Sequence, residues 1–161
     1  MQEIIINALA NIPKELATFL MAMLPVTELR AAIPVAILKY NMSPWLALTY
    51  SVLGNTLMGV LVLLLIEPIT KIIIEKVPFI HRIWTKYIDR LHKKHKESFE
   101  KWEALALIIF IAIPLPMTGA FSGAVAASIF QIPPKKASTY IFLGCLIAGV
   151  TVTAITVLFD L

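Results

Sequence analysis

This sequence has almost no cysteine and only a small share of charged residues. Cys145 is the only cysteine, so neither a disulfide framework nor a thiolate metal site can form within one chain. Charged residues make up 15% of the 161 residues, and none falls within residues 40–66, 104–134 or 137–159. With 59% hydrophobic residues and a mean hydropathy of +0.85, the chain is not an ordinary water-soluble domain. The composition predicts a membrane protein.

Two of the uncharged stretches are long enough to cross a bilayer. A helix needs about 20 apolar residues to span ~30 Å of hydrocarbon, and Met42–Ile66 and Ala137–Phe159 both meet that length. We predict that each is a transmembrane helix. The first residues carry no basic segment and no small-residue cleavage motif, so we expect no removable signal peptide.

The segment before the first span is apolar but has a polar centre. Short apolar arms, Leu16–Leu24 and Val35–Leu38, flank a proline-bounded turn that contains Glu28 and Arg30. Neither arm can cross the bilayer alone. Two interpretations fit: a re-entrant hairpin that turns near the middle of the bilayer, and a surface loop whose two charges are hydrated.

The stretch Ala104–Ile132 is broken in a similar way, between Pro114 and Gly123. Each proline removes a backbone donor and disfavours helix at the residue before it, while the glycines allow close backbone approach. A straight helix cannot contain this segment. It is therefore either a second hairpin or a kinked span.

The two halves of the chain repeat one pattern. Leu24–Thr27 aligns with Leu115–Thr118 at an offset of 91, and the two spans align at an offset of 90. Identities in the spans include proline, tyrosine and two glycines: Pro44 with Pro134, Tyr50 with Tyr140, Gly54 with Gly144 and Gly59 with Gly149. Apolar composition alone does not readily give these matches, so we interpret them as an internal duplication.

These patterns predict an all-α integral membrane protein with one membrane domain over residues 1–161. Its predicted plan is an inverted repeat of a re-entrant helical hairpin plus a transmembrane helix. Repeat 1 covers about residues 12–66, a cytoplasmic amphipathic linker covers about 67–103, and repeat 2 covers about 104–160.

The basic residues give the expected orientation in the membrane. Of the 14 lysines and arginines, 9 lie between Lys71 and Lys101, so the positive-inside rule predicts that the loop 67–103 is cytoplasmic. A re-entrant second hairpin also keeps Lys135 and Lys136 inside. Residues 79–95 have the pattern of a basic amphipathic helix, which lies either on anionic lipid or on the protein itself. Its three histidines are more typical of a solvated face than of a metal site.

The breaks in the helices are the candidate site for substrate or proton binding. Helix N-termini near the bilayer middle favour anions, and ionisable residues at that depth indicate function by default. We expect Arg30 to bind an anionic group and Glu28 to carry a coupling proton, because a carboxyl group removed from water takes up a proton more readily. A purely structural ion pair is the alternative. The remaining candidates supply hydroxyl groups or break the helices: Thr27, Pro34, Pro114, Pro116, Thr118, Gly119, Ser122 and Gly123.

Two motifs carry a family resemblance. The sequence TELRAAIP at residues 27–34 and IPLPMTGAFSG at 113–123 resemble the small multidrug export protein family, which implies drug export. The hairpin-plus-span plan also resembles, distantly, the DedA and VTT superfamily, whose members are associated with moving polyprenyl phosphate or phospholipid. That likeness implies a lipid-like anionic substrate. DedA-type proteins carry arginines at the second hairpin, whereas residues 114–123 have no charge, so a phosphate-binding role depends on Arg30 alone.

The expected function is a small secondary transporter or flippase in the plasma membrane, for a lipophilic anionic substrate and with coupling to protons. Exporting small hydrophobic drugs and organising the membrane without transport are the alternatives. No nucleotide-binding motif, nucleophile or metal cluster is evident, so we expect no enzyme activity, no cofactor and no nucleic-acid partner. Membrane lipids are the expected partners. A homodimer would enclose a pathway better than one thin chain.

Overall fold

The computed structural model describes residues 12–76, 96–113 and 119–159, and every regular element in those ranges is an α-helix. This confirms the all-α prediction. In chain order the helices are α1 Lys14–Met23, α2 Glu28–Leu38, α3 Pro44–Lys76, α4 Lys96–Ala112, α5 Ala120–Ile129 and α6 Pro134–Phe159. The predicted amphipathic helix and its histidines at positions 81, 92 and 95 fall at 79–95, outside the described residues.

Two of these helices are long and apolar enough to cross a membrane, Pro44–Ile66 within α3 and Pro134–Phe159. Only 39% of the most apolar window of each is buried inside the protein. A core helix of a soluble protein would be mostly buried, so their exposed apolar side chains indicate a lipid-facing surface. α6 begins three residues before the predicted start at Ala137, because proline is well tolerated in the first turn of a helix.

The helix α3 continues beyond the predicted end of its span. It runs for 33 residues to Lys76, with Pro68 inside it. Pro68 removes only one helical hydrogen bond, and the helix continues on both sides of it. The first ten residues of the predicted linker 67–103 therefore belong to α3, and its last eight belong to α4.

The segments around the polar breaks form two pairs of short helices. α1 and α2 have 10 and 11 residues and are joined by residues 24–27, while α4 and α5 are joined by residues 113–119. At 1.5 Å per residue, a helix of 10 or 11 residues such as α1 or α2 is about 15 Å long, which is half of the hydrocarbon thickness. Neither α1 nor α2 can cross the membrane by itself.

The packing of the helices follows one scheme in both halves. α1 packs on α2 and α3, and α4 packs on α5 and α6. The second arm of each pair contacts both long helices, α2 with α3 and α6, and α5 with α6 and α3. The long helices also contact each other. Exchanging the two halves leaves this set of contacts unchanged.

Matching residues in the two halves also have matching surroundings. A side chain on Gly54 would meet the backbone of Phe19 in α1, and one on Gly144 would meet Ile108 and Ile111 in α4. Glycine at these positions lets the first arm of each pair approach its long helix closely. The turns that precede the two spans each contain one non-glycine residue with positive φ, Asn41 at 48° and Gln131 at 54°.

We expect Gly144→Ala to destabilise the protein by about 1–3 kcal/mol, because the added Cβ would lie 2.6 Å from Cβ of Ile111, an atom that cannot move without its backbone. The free energy of unfolding in detergent measures this. Ala154→Val, which adds volume on the exposed side of α6, is the control. Equal stability of the two variants would contradict the close packing.

Candidate functional site

Glu28 is the first residue of α2 and has an unusual backbone. Its φ is 46°, in the left-handed region that costs a residue with a Cβ roughly 1–2 kcal/mol. The residue is only 6% exposed. Non-glycine residues held in this conformation cluster at functional sites. The interpretation of residues 25–34 as a hydrated surface loop does not fit a glutamate with this burial.

The side chains of Glu28 and Arg30 form an ion pair. The Arg30 Nη1 atom lies 3.4 Å from Oε2 of Glu28, and the two side chains are 18% and 7% exposed. A buried pair of this kind is costly to break, since removing one partner leaves an uncompensated charge. The ion pair that the sequence left open as the alternative interpretation is thus present in the structure, while the separate roles expected for the two residues stay a prediction.

The same two side chains reach the second pair of short helices. Nη2 of Arg30 donates a hydrogen bond to the carbonyl oxygen of Ile113, 3.2 Å away and directly after the end of α4. The carboxylate of Glu28 lies directly against Gly119, the residue that precedes α5. A helix carries partial negative charge at its C-terminus and partial positive charge at its N-terminus. The cation therefore meets the end of α4, and the anion meets the start of α5.

Gly119 can hold this position only because it lacks a side chain. A Cβ built on its backbone would coincide with the carboxylate group of Glu28. Gly119 is itself buried. The predicted site residue Gly119 and the predicted site residue Glu28 are thus direct neighbours across the two halves of the chain.

A polar contact between the long helices lies close to the ion pair. Nδ2 of Asn55 donates to the Cys145 sulfur at 3.7 Å, and both residues are buried. The thiol also lies beside Thr56 and within electrostatic reach of Glu28 and Arg30. The centre of the helix bundle therefore combines one ion pair, one amide, one thiol and hydroxyl groups in apolar surroundings.

The other predicted site residues have different positions. The Thr27 hydroxyl donates to the Met21 carbonyl at 2.5 Å, so in this state it closes the first turn. Pro34 lies inside α2, one turn after Arg30. Gly123 packs against the side chain of Ile111, and Ser122 is partly buried in the first turns of α5. Pro114, Pro116 and Thr118 lie outside the described residues.

Comparison with known families gives one match. Residues 28–151 match the family described as "Putative small multi-drug export protein", which covers more than three quarters of the chain. The chain belongs to this family. Comparisons with curated proteins and with solved structures gave no match. The match begins at Glu28, so the export-family region includes the ion pair, the first motif except Thr27, the whole second motif and most of the second span.

Sequence reasoning missed Asn55, Thr56 and Cys145 as parts of the site in this export-family protein. Asn55 is the only amide side chain in the uncharged stretch 40–66 apart from Asn41 at its edge. The offset of 90 that relates the two spans also aligns Asn55 with Cys145, next to the aligned glycines 54 and 144. That alignment was the available signal, since polar residues inside membrane helices usually face the bundle interior.

We expect Gly119→Ala to displace the Glu28 carboxylate and loosen the contact between the two pairs of short helices. Cys145 is fully buried, so its reaction with a membrane-permeant maleimide reports opening. The rate at which Cys145 is labelled should rise about tenfold. This corresponds to a free energy of local opening that is lower by about 1.4 kcal/mol.

The control for this prediction uses the same glycine in a second background. In Glu28→Ala, the atoms that the new methyl group would meet are gone. Gly119→Ala added to Glu28→Ala should therefore leave the labelling rate at the value for Glu28→Ala alone. A tenfold increase in both backgrounds would contradict the contact.

Proposed function

We propose that this protein is a secondary transporter that exports a lipophilic substrate across the cell membrane, and that it is not an enzyme. The observation that carries the proposal is the placement of Glu28 and Arg30 on the broken helix ends of the other pair of short helices. Broken helices whose ends converge on ionisable groups are the usual design of a secondary-transporter site. Membership of the export family supports the same class of function.

The proposed architecture is an inverted repeat of two re-entrant hairpins and two spans. The exchange symmetry of the helix contacts supports it. So do two contacts between residues that are equivalent in the repeat: Glu28 with Gly119, at the offset of 91, and Asn55 with Cys145, at the offset of 90. Equivalent residues touch each other only where a two-fold axis passes between them. In this arrangement the hairpins enter the bilayer from opposite faces.

The proposed topology puts the loop 67–103 in the cytoplasm. The first hairpin then enters from and returns to the outer face, and the second hairpin enters from and returns to the inner face. Lys39, at the end of α2, lies outside, and Lys135, at the start of α6, lies inside. Both residues are exposed.

We expect Lys39→Cys and Lys135→Cys, each in a Cys145→Ala background, to react with a membrane-impermeant maleimide from opposite sides of the cell membrane. Intact cells should label position 39, and position 135 should label only after permeabilisation. The Cys145→Ala protein without an added cysteine is the control for background reaction. Labelling of both positions from one side would overturn the inverted arrangement.

The two charged residues have different proposed roles. Arg30 carries its charge at any physiological pH, so it can bind an anionic head group. Glu28 now fills the anion position beside Arg30 and the start of α5. Protonation of Glu28 would remove its negative charge and leave that position to the substrate. Uptake of one proton and binding of one anion are then linked, which gives proton-coupled transport of an anionic, lipid-like substrate.

Export of small hydrophobic drugs is the second candidate, favoured by the description of the family. It differs from the first candidate in the charge of the substrate. A role in membrane organisation without transport is the third possibility, and it would not need the buried ion pair. Membrane lipids are the partners expected in every case. We also propose a homodimer, because two chains would enclose a pathway better than one.

We expect reconstituted vesicles with an imposed pH gradient to transport labelled polyprenyl phosphate faster than protein-free vesicles. Arg30→Gln should lower this flux about tenfold, because one charge-assisted contact to the anion is lost. Glu28→Gln should remove the dependence on the pH gradient. A cationic dye assayed in parallel separates the two candidate substrates.

The matched control is Glu15→Gln. It makes the same chemical change on the same pair of short helices, near the start of α1 and away from the ion pair. It should leave flux and its dependence on pH unchanged. If Glu28→Gln and Arg30→Gln fold normally and retain full activity with both substrates, the assigned roles are wrong.

A further inference from the structure

A series of buried hydroxyl groups lies along the contact between the two long helices. The hydroxyl groups of Tyr40, Ser51 and Thr153 are buried, and none has a hydrogen-bond partner among the residues that the structure describes. We call these three groups the hydroxyl series. Ser51 is fully buried and lies one turn before Asn55 on the same face of α3. A hydroxyl group in apolar surroundings is costly unless it is hydrogen-bonded, and buried water usually supplies the missing partner.

The two long helices run antiparallel where they touch. Asn55 contacts Cys145 at the middle of the bundle. One turn later in α3, a side chain on Gly59 would meet Ile141, which lies one turn earlier in α6. Depth in the bundle can therefore be counted from the Asn55–Cys145 contact along either helix, at about 1.5 Å per residue.

The hydroxyl series lies on one side of that contact. Ser51 is about 6 Å from it and Thr153 about 12 Å, both toward the start of α3 and the end of α6. The ring of Tyr40 packs against the core from the turn that precedes α3. Lys39, at the end of α2, lies next to Tyr40 on the same side. The series thus leads from the middle of the bundle to the face of the protein at which Lys39 lies.

Equivalent positions on the other side of the contact are apolar. The offset of 90 pairs Ser51 with Ile141 and Thr153 with Leu63, and both of these apolar side chains are fully buried. Ser138, which lies on that side, donates its hydroxyl to the carbonyl oxygen of Pro134. In the α3–α6 contact, polar groups that need a partner therefore extend from the middle toward one face and not toward the other, as far as the structure describes the chain.

The inner end of the hydroxyl series lies close to Glu28. Cys145, which accepts the hydrogen bond of Asn55, is within electrostatic reach of Glu28 and Arg30. The helix α2 begins at Glu28 and packs against both long helices, so it covers the series from the middle of the bundle outward. Arg30 and the Cys145 thiol are thus the ionisable groups beside the carboxylate, and Tyr40 is the ionisable group at the outer end of the series.

We propose that the hydroxyl series holds a chain of water molecules that carries protons between Glu28 and the face of the membrane at which Lys39 lies. Each water molecule or hydroxyl group accepts one proton and passes one on, so the carboxylate gains a proton that the solvent at that face loses. Ile141 and Leu63 close the opposite side in this state. The inference rests on the proposed function and gives it a direction. With Lys39 outside, the coupling proton enters from the outer face and leaves to the cytoplasm only after the hairpins rearrange.

The first test compares the access of water to two equivalent positions. Ser51→Cys and Ile141→Cys, each in a Cys145→Ala background, are treated in permeabilised cells with a small, positively charged methanethiosulfonate. A thiol reacts as its thiolate, which forms readily only where water reaches it. We expect Ser51→Cys to react about tenfold faster than Ile141→Cys. The Ile141→Cys change removes volume, which works against the expected difference.

Equal rates, or a faster reaction at position 141, would overturn the proton path. In intact cells the same reagent should reach Ser51→Cys from the side at which Lys39→Cys reacts. Reaction of Ser51→Cys only from the side at which Lys135→Cys reacts would overturn the direction of the path.

The second test gives the closed side the hydroxyl groups of the open side. The double variant Leu63→Thr with Ile141→Ser places them at the equivalent positions. Its control, Leu63→Val with Ile141→Ala, has nearly the same side-chain volumes without hydroxyl groups, and an apolar cavity stays dry. Protons should leak about tenfold faster into vesicles that hold the hydroxyl-bearing variant, measured with a trapped pH-sensitive dye and no substrate. Equal leak rates in the two double variants would contradict a role of the hydroxyl groups.

Failure of the proposed function would give a different result. Flux of polyprenyl phosphate would then be absent, although Ser51→Cys reacts faster than Ile141→Cys and the hydroxyl-bearing double variant leaks protons. Conversely, flux that depends on pH, together with equal reaction rates and equal leak rates, would overturn the proton path and leave the proposed function intact. Circular dichroism and gel filtration establish that each variant is folded.

Discussion

The structure depends on a contact in which two opposite charges of one hairpin meet two opposite helix ends of the other. Arg30 reaches the carbonyl end of α4, and Glu28 reaches the amino end of α5. Each charge alone would be costly in an apolar bundle. Together they offset each other, and each also meets a backbone dipole of the opposite sign. The break in the second hairpin and the charges in the first are therefore two parts of one arrangement.

Several local features follow from that contact. The left-handed backbone of Glu28 directs a carboxylate at the second hairpin, and the strain is held by the packing around it. Gly119 leaves the space that the carboxylate fills. Thr27 binds the Met21 carbonyl and so fixes the turn from which Glu28 starts. The proposed transport function requires that this contact be broken and remade, and under that proposal protonation of one carboxylate alters every part of it.

Much of this could be predicted from the sequence. Charge-free stretches predicted the two long helices, and the proline-bounded polar centres predicted the two interrupted segments. The cost of charge in lipid made a buried Glu28 and Arg30 candidates for function, and their pairing with each other was the alternative interpretation. The continuation of α3 through Pro68 did not, because a proline inside a long helix removes one hydrogen bond without ending the helix.

The contacts between the two halves of the chain were also out of reach of the sequence. The alignment of the halves pairs Glu28 with Gly119 and Asn55 with Cys145, but an alignment does not say which aligned positions touch. In the proposed inverted repeat, that depends on where the two-fold axis passes, and the position of the axis is set by helix packing.

The Glu28–Gly119 contact has a consequence for how such a chain can be built. Under the proposed inverted repeat, two separate copies of a half-length ancestor would bring the same residue to the two-fold axis from both sides. Two glutamates would repel and collide there, and two glycines would leave no charge for the helix ends. Covalent joining of the halves lets the two positions diverge, so that one supplies the carboxylate and the other supplies the room for it.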